Sequence, residues 1–203
     1  MPRNLAIMIF DDVEVLDFCG PFEVFSVSNY FSSGAFNVYL IAPEERTIVA
    51  RNGLKVIPDH DLEGAPEPDV LLIPGGWGTR SLIHNADVVA YIRRQAGRVE
   101  RLLSVCTGAY LLAKADLLDG LEATTHHGSF EMLAELAPTA TLVRDVKYVD
   151  NGQIILSGGI SAGINMSLYV VSRLLGEEVA RKTAAYMEYD WEVPPLERGG
   201  TEP

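Results

Sequence analysis

Leu102-Leu103-Ser104-Val105-Cys106-Thr107-Gly108-Ala109-Tyr110-Leu111-Leu112-Ala113 is the stretch whose reading decides the fold. Residues 102–105 are a short, nearly continuous apolar run, the pattern of a strand covered on both faces. From Thr107 the apolar residues recur at helical spacing, and the spacing predicts a helix over 107–118. The small Gly108 and Ala109 permit a tight turn and close helix–sheet packing. Cys106 therefore sits where a buried strand becomes a helix. Unpaired N–H groups and the dipole at a helix start favour an anion, hence a thiolate, and the thiolate is the reactive form of cysteine. The alternative is a buried, inert cysteine; its place at the strand–helix junction favours reactivity.

The same alternation extends outward. Strands are expected at 5–10, 36–42 and 69–73, and helices at 20–31, 86–97, 129–137, 162–175 and 177–189. Pro21 suits the first turn of the helix expected to begin at Gly20. Asn52-Gly53 within 47–57 and Asp150-Asn151-Gly152 within 148–156 mark hairpins, read as side additions. Buried strands alternating with helices imply an α/β fold, a mostly parallel sheet with helices on both faces. Ligands of such sheets bind at the carboxyl ends of the strands, which here means the turns after Phe10, Ile73 and Val105. One domain over 1–193 is expected, with a loosely ordered tail over 194–203.

Composition narrows the function. The 203 residues carry 16 Lys and Arg against 28 Asp and Glu, a formal net charge of −12. Such a surface repels phosphate backbones and argues against nucleic-acid binding. No apolar run is long enough to cross a bilayer, so no membrane partner is expected. The N-terminus lacks the pattern of a signal peptide, and a cytoplasmic location is expected. The two cysteines, Cys19 and Cys106, have no Cys-x-x-Cys or Cys/His spacing. Neither a structural disulfide nor a metal is expected, and Cys19 is read as a packing residue.

Other residues could serve Cys106. Gly75 and Gly76 end a buried strand, and their N–H groups could orient a substrate or form an oxyanion hole. Asp17 could cap the first helix, or face Cys106 across the sheet end as an acid or base. Glu23, farther along that helix, could take the same part or simply be solvated. His126 and His127 could supply a base, although a polar loop or structural role is the commoner fate of such a pair.

Five segments together resemble the ThiJ/PfpI superfamily, within the class I glutamine-amidotransferase-like group. They are residues 15–25 (Val-Leu-Asp-Phe-Cys-Gly-Pro-Phe-Glu-Val-Phe), 73–76 (Ile-Pro-Gly-Gly), 104–109 (Ser-Val-Cys-Thr-Gly-Ala), 123–126 (Ala-Thr-Thr-His) and 157–164 (Ser-Gly-Gly-Ile-Ser-Ala-Gly-Ile). The resemblance spans nearly the whole chain. It implies a flavodoxin-like three-layer sandwich, a homodimer and a cysteine held at a strained elbow. Thr107 stands where peptidase-like members carry histidine, which argues against peptidase activity. Asp17 together with Cys106-Thr107 resembles the isonitrile hydratases. That likeness implies addition of water to an isonitrile to give an N-substituted formamide, a lyase reaction needing no cofactor. Cys106 would be the nucleophile, Asp17 the proton carrier and Thr107 a hydrogen-bonding partner. Gly75 and Gly76 would orient the adduct, and Phe18, Tyr110, His126 and Trp191 would help line the pocket for a small-molecule substrate. The cysteine segment also resembles the ligand-sensing domains of AraC-type regulators, and the alternative is a related non-catalytic small-molecule or redox sensor domain with an oxidisable cysteine.

Overall fold

The computed structural model describes residues 1–192. In chain order the elements are β1 (Arg3–Met8), α1 (Val15–Ser28), β2 (Phe36–Ala42), β3 (Ile48–Val49), β4 (Lys55–Val56), β5 (His60–Asp61) and β6 (Val70–Ile73). There follow α2 (Thr79–Leu82), α3 (Ala86–Ala96), β7 (Arg101–Val105), a 3-10 turn at Cys106–Gly108, α4 (Ala109–Lys114) and β8 (Glu122–Ala123). The chain continues through α5 (Phe130–Leu136), β9 (Thr141–Leu142), β10 (Tyr148–Asp150), β11 (Ile154–Ser157), α6 (Ala162–Leu175) and α7 (Glu177–Tyr186).

The main sheet has seven strands in the order β10-β11-β7-β6-β1-β2-β5. Every pairing is parallel except β10 with β11. Helices α1, α6 and α7 pack together as one layer; α3, α4 and α5 form another. Covering on both faces explains the uninterrupted apolar strands: Leu71, Leu72, Ile73, Leu102 and Leu103 are all fully buried. Each such side chain contributes about 1.5–3 kcal/mol of burial energy, enough to make the central strands a rigid base for the turns at their carboxyl ends. From β1 the chain proceeds to β2 on one side and later to β6 on the other. This change of direction opens a crevice beside the ends of β1 and β6.

Several sequence expectations need correction. Helix α1 starts at Val15 rather than Gly20, so Asp17 lies inside its first turn and not before it. Pro21 is accordingly in the helix interior, where its missing N–H leaves the Asp17 carbonyl without the usual helical donor. The helix expected from Thr107 begins with the 3-10 turn, and its α-helical part runs only from Ala109 to Lys114. The 150–152 turn does make a hairpin, but not as a side addition: β11 is buried and pairs in parallel with β7, placing the hairpin in the main sheet. The last helix ends at Tyr186, three residues short of the predicted end. The expected tail at 194–203 lies outside the described residues.

Candidate active site

Four strand-end turns converge. Three were anticipated; the fourth is Gly158-Gly159-Ile160, after β11. Hydrogen bonds stitch them together. Glu14 N–H donates to the Gly75 carbonyl at 2.9 Å and Cys106 N–H to the Gly158 carbonyl at 3.1 Å. The Thr125 hydroxyl donates to the Cys106 carbonyl at 2.8 Å. These bonds hold Cys106 at φ 58°, a left-handed conformation that costs a non-glycine residue roughly 1–2 kcal/mol. The result is an elbow that lifts the thiol off the end of β7.

Gly75 is the contact point of the site. A Cβ there would lie 2.5 Å from Thr107 N, 2.8 Å from Asp17 Oδ2 and 2.8 Å from Cys106 Cβ. No side chain fits, and the three functional candidates close around the glycine. Its N–H donates to Asp17 Oδ2 at 3.0 Å. Gly76 N–H donates to Thr107 Oγ1 at 3.0 Å, and the Thr79 hydroxyl approaches the same oxygen at 3.1 Å. Both glycine amides are therefore engaged. They position Asp17 and Thr107, instead of standing free as an oxyanion hole.

Asp17 is fully buried, whereas Glu23 is exposed; of the two carboxylates, Asp17 is the one beside the cysteine. Burial, reinforced by the charge of Glu14, raises its carboxyl to about 7 against the opposing pull of the Gly75 N–H, the Cys106 thiol and the Ile160 N–H. Asp17 Oδ1 has no hydrogen-bond partner. Because Oδ2 accepts from Gly75, the proton of the neutral acid belongs on Oδ1. Cys106 is 6% exposed. Burial first, then the Asp17 charge, pushes its thiol up to about 12, partly countered by the Thr107 N–H. The resting thiolate expected from the helix start is thus corrected to a resting thiol. The 3-10 turn and short α4 supply a weak dipole, which loses to desolvation and a neighbouring carboxylate.

Ile160 was assigned no part by sequence reasoning. Its φ of 54° is a rare conformation for a β-branched residue. The strand-end rule applied to Ser157-Gly158-Gly159-Ile160 would have found it. Thr79, which braces Thr107, carried no sequence signal; Thr125, which braces Cys106, lay in the 123–126 segment but was given no role. Phe18, Tyr110 and Trp191 belong to the hydrophobic core, and the Tyr110 hydroxyl donates to the Ser129 carbonyl at 3.0 Å. His126 lines a cavity of about 390 Å³ together with His127, Arg144, Lys147 and Ile160. Among the described residues, no group of three His, Cys, Asp or Glu could hold a metal ion. No helix among them is long and apolar enough to cross a membrane.

Residues 3–173 match the DJ-1/PfpI family. This chain belongs to the DJ-1/PfpI family. Isonitrile hydratase of Pseudomonas putida is 32% identical over 199 residues, which cover 98% of this DJ-1/PfpI chain and 83% of that protein. The HTH-type transcriptional regulator GbdR of Pseudomonas aeruginosa is 25% identical over 93% of this chain, which spans about half (51%) of the regulator. A solved THiJ/PfpI family protein from Pseudomonas syringae superposes with a TM-score of 0.85 at 25% identity, covering 98% of this chain and 80% of that one. The DJ-1/PfpI assignment agrees with the mostly parallel sheet and its two helical layers described above.

Proposed function

We propose that this chain adds water to an isonitrile and releases an N-substituted formamide, with Cys106 as nucleophile and Asp17 as proton carrier. The observation that carries the reading is the pair itself: a neutral, buried thiol beside a buried carboxyl poised at about 7. A carboxyl tuned to the working pH both accepts and returns a proton efficiently.

Asp17 takes the thiol proton as Cys106 Sγ bonds to the terminal isonitrile carbon. Asp17 then delivers that proton to the same carbon, which gives a thioimidate, R–N=CH–S. Asp17, again a carboxylate, removes a proton from a water that bonds to this carbon and passes it to the nitrogen, which gives R–NH–CH(OH)–S. The C–S bond then breaks as Asp17 carries the hydroxyl proton to sulfur, so R–NH–CHO leaves and the thiol and the Asp17 carboxylate are both restored. Thr107 acts toward sulfur through its N–H and, more weakly, through its hydroxyl, which Gly76 and Thr79 hold in place. The similarity to isonitrile hydratase supports the substrate class. The reading includes a homodimer, which sedimentation analysis of the purified chain would test.

The test is formamide formation from para-nitrophenyl isocyanide by wild type, Cys106→Ala and Asp17→Asn. Turnover in wild type and its loss in both variants is the expected result. Turnover retained by Cys106→Ala would reject the mechanism. A second reading, a ligand-sensing domain without turnover, is favoured by the similarity to GbdR. Saturable isonitrile binding without formamide would select it.

A further inference from the structure

The 390 Å³ cavity has a composition at odds with the rest of the molecule. The chain is strongly acidic, with 28 Asp and Glu against 16 Lys and Arg. Yet this cavity is lined by Arg144, Lys147, His126 and His127, against the one acidic side chain of Asp145. Neither Arg144 nor Lys147 is in an ion pair among the described residues. The Arg144 guanidinium lies 4.1 Å from the centre of the Phe130 ring, a stacking that orders the group and leaves its hydrogen-bonding edge uncommitted. His126 accepts the Gly128 N–H at Nδ1, 3.2 Å away, so in the neutral ring Nε2 carries the donor hydrogen. Its ring is pressed onto Gly159, where a Cβ would lie 2.3 Å from His126 Cδ2.

The cavity shares its wall with the cysteine site. Thr125, Gly158 and Ile160 line it. Thr125 and Gly158 are also the hydrogen-bond partners of the Cys106 backbone, and the Ile160 N–H faces Asp17. These shared residues set the cavity beside the cysteine turn.

We propose that this cavity binds a carboxylate on the substrate of Cys106, with Arg144 and Lys147 as its charged partners and His126 as a neutral donor. Resting on the hydration reading, this makes the substrate an isonitrile that bears a carboxylic acid at a distance from the reacting carbon. A planar guanidinium matches a carboxylate bidentately, and unpaired cations grouped in one cavity of an acidic protein draw an anion to it.

The test separates this proposal from the hydration reading. Alkylation of Cys106 by 4-(iodoacetamido)benzoate is compared with alkylation by iodoacetanilide, which lacks only the carboxylate. In either reaction the thiol proton passes to Asp17, the S–C bond forms and iodide leaves. The benzoate is expected to react about tenfold faster in wild type, as for one charge-assisted contact. That ratio, taken within each protein, should fall to about one in Arg144→Gln/Lys147→Gln and keep its wild-type value in Lys114→Gln, which removes an exposed charge elsewhere. A wild-type ratio of one or below, or a ratio unchanged in the double variant, overturns the carboxylate site. Formation of formamide from 4-isocyanobenzoate is read separately. Its absence alongside a high alkylation ratio would reject hydration and leave the carboxylate site standing.

Discussion

The carboxyl of Asp17 and the thiol of Cys106 meet across the bare Cα of Gly75, and the charge on Asp17 raises the proton affinity of the cysteine. Near neutral pH the pair holds its proton on sulfur while Asp17 stands near half-ionised. The reactive state is thus made during attack, when Asp17 receives the thiol proton.

A pH profile follows from that order. Asp17 must be ionised to accept the proton, so kcat/KM for isonitrile hydration should rise with pH, level off above about 7 and fall about tenfold per pH unit below it. Stopped-flow alkylation of Cys106 by iodoacetamide should show the same inflection in wild type and lose it in Asp17→Asn. A flat profile across pH 5–9 would mean that Asp17 does not carry the proton.

Stability should show the same group with the opposite sign. Folding raises the Asp17 carboxyl from its ordinary 3.8 to about 7. Its contribution is therefore complete below pH 3.8, declines as pH rises and is gone above about 7. A change of that size corresponds to at most about 4 kcal/mol. In urea unfolding, Asp17→Asn should gain on wild type between pH 4 and 7, with groups common to both cancelling. A difference that stays constant across that window would show that burial does not raise this carboxyl.

Thr107 and Gly75 should fail in different ways. Thr107→Val leaves the buried Gly76 N–H without its acceptor, while the Thr79 hydroxyl keeps the Gly76 carbonyl, an expected loss of about 1–3 kcal/mol. Thr107→Ser should keep most of both stability and turnover. Gly75→Ala places a methyl against Thr107 N and the Asp17 carboxyl, and should abolish turnover even where circular dichroism shows a folded chain. Full activity in Gly75→Ala would mean that the three groups need not close around this point.

Peroxide offers a fourth check. A buried neutral thiol lacks the thiolate on which oxidation depends. Cys106 should react with hydrogen peroxide at pH 7 no faster than an unperturbed cysteine, as mass spectrometry of the intact chain would read. Rapid conversion to sulfinic acid would restore the resting thiolate and favour the redox-sensor reading.

What the sequence by itself determined is the part governed by local pattern. Buried strands covered on both faces must be apolar throughout, so 70–73 and 102–105 were legible, and with them the parallel sheet and Cys106 at its strand end. Small residues at 75, 76 and 108 likewise announced a close approach of backbones. The ionisation of the site was decided by tertiary structure alone. Helix-start reasoning applied to Cys106 predicted a thiolate because it saw only its own segment. It could not see the charge of Asp17, 89 positions away in sequence, or the desolvation supplied by four converging turns. The early start of α1 was masked by Pro21, which local rules place in a first turn; packing of Gly20 against Ile164 of α6 instead holds the helix through it. The Ile160 conformation and the cationic cavity beyond it were hidden for the same reason. Both depend on which loops share a wall, a relation that pairwise spacing along the chain does not encode.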